Sequence, residues 1–384
     1  MTEATDGQPD DGYLLYHSIG MFPGKAARMG EALAEFAAFW GRADDAQWQT
    51  ALARRQEFID RWRRLINVPA GTLTTAENVT TALFSIVGGL PEHHLKGRRV
   101  LIAADCFPSL HFLLARLADR FGFTLDTVPI GAGANWVTEE DFIARWDETV
   151  GLALITWVTS TTSHRSDVAR LVEHGRRMGS LAGVDITQGV GVLPFDAGSL
   201  GVDFTISTSL KWLCGAPGAG ILHVREELLG ECRPELRGWF SQENIFSWDL
   251  DKFAYAPDAR RFDHGTPSVV SAIGSLPGLE WHAGQDMAAL LAHNRRLTAM
   301  ILEAAPGLGL TPVSPQDPDK RGGSLMLRLP AGADPAGVVD RLRRASVYAD
   351  CRGRILRLSP GPITTQAGID RLVRELAMTV KTDA

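Results

Sequence analysis

Lys211 is the residue whose surroundings most favour covalent chemistry. The chain has six lysines, at 25, 96, 211, 252, 320 and 381, and Lys211 alone stands outside polar or charged company. It follows Thr205, Ser207, Thr208 and Ser209, lies between Leu210 and Trp212, and precedes a glycine-rich turn at 215–220. Apolar surroundings disfavour an ammonium, so the free amine becomes available to condense with an aldehyde. A lysine can instead lay its stem on apolar surface and keep its amine in water. Asp185 bears on that choice. It closes the apolar run LAGVD, which would put its carboxylate at the carboxyl end of a parallel strand, where open α/β sheets bind ligands. A buried carboxylate there needs a cationic partner, and a protonated pyridine nitrogen would serve. Taken alone, Asp185 could equally cap the next helix.

The elements that would position these groups alternate between strand and helix periods. Short β-rich runs at 99–103, 124–130, 152–158, 203–208 and 220–224 are separated by amphipathic stretches, one of them a helix at 168–181 opened by an Asp167 cap. This alternation predicts a mainly parallel sheet covered by helices, in a large domain placed at 46–284. Residues 1–45 read as an N-terminal arm and small-domain segment, with a loose tail at 1–10. From 30 to 65 the pattern is helical, with Leu33, Phe36, Ala37, Trp40, Trp48, Phe58, Ile59 and Trp62 apolar. The stretch 285–384 predicts a smaller α/β domain: a long helix from about Gln285, a strand at 324–329, a helix at 335–344, a strand at 355–359 and a last helix from Ala367.

Asp185, Gln188, then Val202 and Asp203, and a Ser/Thr run ending in Lys211 together resemble the class V aminotransferase group of fold-type I pyridoxal-phosphate enzymes, which includes kynureninases and isopenicillin-epimerase-like proteins. The resemblance covers nearly the whole chain. It implies an α/β fold with a mainly parallel seven-stranded sheet, helices on both faces and a smaller α/β domain. It also implies pyridoxal 5'-phosphate as cofactor, with Lys211 as its Schiff-base lysine, Asp185 paired with the pyridinium nitrogen and Gln188 hydrogen-bonded to the ring hydroxyl. In such enzymes the cofactor accepts the electrons and the protein supplies orientation and electrostatics. Residues 77–87, ENVTTALFSIV, resemble the family's phosphate loop, with Thr80 and Thr81 opening a helix whose N–H groups hold the dianion. Phe107, in CFPS, matches the aromatic stacked on the ring, and Thr156 and Thr208 match hydroxyls that bind the ring oxygen or the phosphate. Trp239, in GWF, and Thr266, in GTP, match elements that complete the phosphate site of a neighbouring subunit, which implies a homodimer with shared sites. Arg357, in RILRLSP, matches the arginine that grips the substrate α-carboxylate through two parallel hydrogen bonds. The implied activity lies at Cα of an amino acid, as transamination or β-elimination, with the released Lys211 amine as base.

Departures from the family pattern narrow this further. Leu210 replaces the tyrosine that kynureninases place before the lysine, Leu110 replaces an Asp after FPS, Gln242 stands where a His follows GW, and an Asn belongs near Thr266. Kynureninase-type hydrolysis is therefore the alternative rather than the first reading. The stretch 314–324 has no cysteine where desulfurases carry their nucleophile. Leu110, Leu210 and Phe240 predict an apolar side-chain pocket. A Rossmann dehydrogenase would need GxGxxG at its first strand-to-helix turn; 215–220 has the wrong spacing and 131–136 lacks the third glycine. A degenerate, non-catalytic relative would be expected to lack Lys211, Asp185 or Arg357. With 39 basic and 45 acidic side chains the net charge of −6 offers no footprint for nucleic acid, and no run of roughly 20 apolar residues suggests a membrane span. Four dispersed cysteines and a polar, acidic start point to the cytoplasm. His93 and His94, adjacent on a polar loop, read as solvated rather than as metal ligands, and no metal is expected.

Overall fold

The computed structural model describes residues 10–380, so the tail expected at 1–10 lies almost wholly outside the described residues. Seven strands, β1 (Leu73–Ala76), β2 (Arg99–Ala103), β3 (Thr124–Val128), β4 (Val150–Thr156), β5 (Leu181–Asp185), β6 (Phe204–Thr208) and β7 (Gly220–Val224), form one sheet in the order β1-β7-β6-β5-β4-β2-β3. From β3 to β6 every neighbouring pair is parallel, whereas β7 runs antiparallel to both β6 and β1. The carboxyl ends of β2, β4, β5 and β6 therefore share one edge. Two reversals make β1 point the same way.

Helices on both faces bury β4, β5 and β6 along their whole length, which is why these strands read as apolar runs rather than alternating ones. The pleat still sorts the side chains: Leu101, Ala153, Ile155 and Val184 join one core with Trp62, and Val100, Ile102, Leu152, Leu154 and Ile206 join the other. A second, antiparallel sheet runs β10-β11-β9-β8, with β8 (Thr311–Pro312), β9 (Leu325–Arg328), β10 (Asp350–Arg352) and β11 (Ile355–Leu358). Its core joins Leu325, Leu327, Leu356 and Leu358 to Leu297, Ile301, Leu342 and Leu372 from three helices.

Two helical stretches differ from the sequence reading. The helical stretch at 30–65 is two helices, Lys25–Trp40 and Gln47–Leu65, because Gly41 and a short segment carrying Arg42, Asp44 and Asp45 interrupt it; Trp40 and Trp48 meet edge to face across the break at 5.1 Å. The helix at 168–181 keeps its Asp167 cap, whose side chain accepts from Arg170 N at 3.1 Å, but ends at Met178. Gly179 takes a left-handed conformation, φ 69°, and turns the chain so that Leu181 opens β5.

The N-terminal arm ties the two sheets together. Tyr13 and Leu15 bridge to Tyr348 and Ser359 beside the small sheet, and Gly20 N donates to Leu210 O at 2.9 Å. A Cβ at Gly20 would stand 1.7 Å from Lys211 O, so only glycine lets the arm lie this close. Tyr16 stacks on Trp212, with ring centroids 5.4 Å apart. Among the described residues no helix is long and apolar enough to cross a membrane.

Candidate active site

A cavity of about 430 Å³ opens at the shared carboxyl edge of the large sheet, within the size range of small-molecule sites. Each strand end feeds it: β4 brings Thr156, β5 brings Asp185 and, just beyond, Thr187 and Gln188, and β6 brings Thr208, Leu210 and Lys211. Phe107 enters from the loop after β2, and Asn78, Thr80 and Thr81 enter from the start of the helix that follows β1. Of the eleven residues expected at the site, eight line this one cavity: Lys211, Thr80, Thr81, Phe107, Thr156, Asp185, Gln188 and Thr208.

The remaining three lie outside its lining. Thr266 borders a smaller hollow of about 130 Å³ with Arg55, Thr75 and Gly218, Trp239 is 38% exposed, and Arg357 sits on β11 paired with Asp350. The expected apolar pocket needs correction. Leu110 and Phe240 are buried in the protein, so Leu210 alone of the three lines the cavity, beside Val79, Phe107 and Val158. A larger cleft of about 850 Å³, between Trp136, Phe195 and Lys320, contains none of the expected site residues.

Electrostatics single out one pair. Burial pushes the Lys211 amine down from 10.5 to about 8, against the pull of the Asp185 carboxylate, with Arg357 and Arg352 adding to the depression. Burial likewise raises Asp185, although Thr187 and Lys211 oppose it; its Oδ1 accepts from Thr187 N at 2.9 Å. Lys211 Nζ lies 5.5 Å from the centroid of the Phe107 ring. Burial of both groups shifts their protonation in opposite directions, as expected where a reactive amine and a carboxylate share a low-dielectric site.

Buried hydroxyls show what the cavity is built to hold. Thr156 Oγ1, Ser160 Oγ, Thr187 Oγ1 and Thr208 Oγ1 find no hydrogen-bond partner among the described residues, and all four residues line the cavity. A buried polar atom left unpaired costs about 1–3 kcal/mol, so four together fit a polar ligand that satisfies them. At the other end, Asn78 Oδ1 accepts from Thr80 N and Thr81 N, both at 3.0 Å, in a capping box with Thr81. A dianion bound at this helix start would replace an uncharged amide oxygen on the same two N–H groups.

Sequence reasoning missed three contributors. Asn78 carried a readable signal, an N-cap residue immediately before an apolar helical run. Ser160, inside the unbroken hydroxyl run 159–163, did not stand out. His17 carried none: its carbonyl accepts from Gln188 Nε2 at 3.1 Å across 171 positions. Far from this cavity, near the start of β2, ligand atoms of His93, His94 and Glu231 lie within 4.8 Å of one another, with both His93 and Glu231 exposed.

The chain is 26% identical over 379 residues to a kynureninase of Xanthomonas oryzae pv. oryzae, covering 93% of this chain and 88% of that protein. It is 28% identical over 327 residues to an isopenicillin N epimerase of Streptomyces clavuligerus, covering 82% and 81%. Its fold matches a mutant of C-DES, solved with glycine covalently linked to the PLP cofactor, at TM-score 0.84, 21% identity and 96% coverage of both chains. The family model for class-V aminotransferases matches residues 27–349, and the chain belongs to that family.

Proposed function

We propose that this chain is a pyridoxal 5'-phosphate enzyme that removes the proton from Cα of an amino acid, with Lys211 as both cofactor tether and base. The observation that carries this reading is the buried Lys211–Asp185 pair in one cavity with four unsatisfied hydroxyls. When bound, the cofactor's protonated pyridine ring stabilises the electron pair left at Cα.

The chain's own residues divide the remaining work. Asp185, buried and acceptor-only when ionised, holds the proton on the pyridine nitrogen. Phe107 would stack on the ring, and Gln188, fixed by the His17 carbonyl, would hydrogen-bond the ring hydroxyl. The hydroxyls of Thr156, Ser160 and Thr208 satisfy ring and phosphate oxygens. Thr80 and Thr81 N–H groups receive the phosphate at the helix start. With the substrate amine in its place on the cofactor, Lys211 would be the base for the Cα proton, and the burial that pushes its amine down to about 8 in the cavity favours the unprotonated form. Arg357 binds the α-carboxylate. Deprotonation at Cα opens transamination and β-elimination alike.

Trp239 and Thr266 serve the cavity of a second copy in this reading, as a homodimer. The segment after Trp239 supports that, because Phe246, Trp248 and Leu250 are 75%, 86% and 98% exposed, an arrangement suited to burial against another chain. The four free cysteines support the expected cytoplasmic setting. The test is a panel of amino acids added to the yellow holoenzyme, followed by absorbance and by mass spectrometry of products. A keto acid product assigns transamination and a released β-substituent assigns elimination. A protein that takes up no pyridoxal phosphate overturns the whole reading.

A further inference from the structure

Beyond the cavity lining, one buried histidine links Gln188 at the cavity to Asp350 and Arg357 on the small sheet. His17, from the N-terminal arm, has a side chain only 1% exposed. Its carbonyl accepts from Gln188 Nε2, its Nδ1 meets Ser359 Oγ at 2.7 Å, and its Nε2 lies 3.2 Å from Asp350 Oδ1. Ser359 Oγ in turn meets Ser324 Oγ at 2.7 Å. These contacts fit a neutral imidazole: the Ser359 hydroxyl donates to Nδ1, and the protonated Nε2 lies beside the Asp350 carboxylate without completing a hydrogen bond to any described residue.

Asp350 is the next link. It faces Arg357 directly across the β10–β11 ladder, and its two oxygens accept from Arg357 Nε, at 2.7 Å, and from Arg357 Nη2. Burial would raise this carboxyl, but His17 and Arg357 beside it overcome that and hold it at about 2, so Asp350 stays charged. Asp350 occupies only one edge of the guanidinium. Among the described residues Arg357 Nη1 has no hydrogen-bond partner, which leaves the Nη1/Nη2 edge for a carboxylate. The charge of Arg357 also reaches both Lys211 and His17.

We propose that His17 is a positioning residue for the substrate carboxylate: it fixes Asp350, and through Asp350 the plane of the Arg357 guanidinium, relative to Gln188 on the cofactor side. This rests on the assignment of Arg357 as the carboxylate grip. An unrestrained arginine loses rotamer entropy when a ligand orders it, and a guanidinium already clamped on one edge has lost most of that freedom beforehand. Losing His17 frees one side of Asp350, so the clamp turns and the open edge no longer faces the α-carboxylate.

The probes are two stable reduced adducts, N-(5'-phosphopyridoxyl)-L-alanine and N-(5'-phosphopyridoxyl)-ethylamine, which differ by one carboxylate. Calorimetric titration of the full-length apoenzyme gives the ratio of their dissociation constants, a readout independent of turnover. The intact chain should favour the alanine adduct by at least about tenfold, the scale of one charge-assisted contact, and Arg357→Ala should bring the ratio close to one. His17→Phe and His17→Asn should lose most of the preference while the ethylamine adduct still binds within about twofold of the unmodified chain. His17→Gln, whose amide nitrogen can stand in for Nε2, should keep it. If His17→Phe and His17→Asn retain the preference while Arg357→Ala loses it, the role of His17 is overturned and that of Arg357 stands. If Arg357→Ala retains it, the assignment of Arg357 falls and the inference with it.

Discussion

The titration of Lys211 can be measured apart from any catalysis. Its amine moves from 10.5 to about 8, a difference of 2.5 units, because the folded chain buries the ammonium. At 1.36 kcal/mol per unit this is about 3 kcal/mol of preference for the neutral amine. At pH 7.5 the free amine is then about a quarter of the population instead of about 0.1%, a gain on the order of 200-fold. Linkage fixes the sign for stability. Between about 8 and 10.5 the unfolded chain binds the proton that the folded chain has released, so this group's contribution to apoenzyme stability rises with pH through that window. The assay is competitive acetylation of the apoenzyme by trace acetic anhydride from pH 6 to 11, with peptide mass spectrometry and Lys252, whose side chain is 83% exposed, as internal reference. Lys211 should gain reactivity with a midpoint near 8. Asp185→Asn removes the carboxylate that pulls this value up, so the midpoint should move lower. A midpoint in the ordinary lysine range, or an upward move in Asp185→Asn, would refute the electrostatic account.

Other expectations concern the frame around the site. Arg55 and Asp263, with side chains 7% and 3% exposed, pair at 2.9 Å beneath Thr74 and Thr75, so Arg55→Ala strands a buried carboxylate and should cost about 3–5 kcal/mol in urea denaturation. His223 and His282 are pushed by burial from 6.5 to about 4. Both are neutral in the fold, whereas the unfolded chain gains their protons below about 6.5, so their stability is present above that pH and is lost as pH falls through 4. Melting temperature followed from pH 7 to 4.5 should drop steeply, and less so in His223→Gln. Asn78→Ala removes the cap of the helix at the cavity mouth and should cost the apoenzyme about 1 kcal/mol by chemical denaturation.

Most strands of the large sheet were legible because burial on both faces leaves uninterrupted apolar runs, and the runs at 99–103 and 220–224 coincide with β2 and β7. β1 was not: LTTA is short, half polar and paired only at its β7 edge, so its period carries little. Break points followed local backbone chemistry that a periodicity scan passes over, such as Gly179 in its left-handed turn. At the site, residues at strand ends could be found in sequence because each has a fixed place relative to its own strand. Contacts made across the fold could not. Nothing in YHS announces that His17 reaches Gln188 and Asp350, and nothing in ILRL announces that Arg357 spends one edge on Asp350.

The central claim is that one ε-nitrogen carries the cofactor. Sodium borohydride added to protein incubated with pyridoxal 5'-phosphate, followed by digestion and mass spectrometry, should give a single phosphopyridoxyl modification, on Lys211, absent from Lys211→Ala. Modification spread over the surface lysines, or found equally in Lys211→Ala, would contradict it.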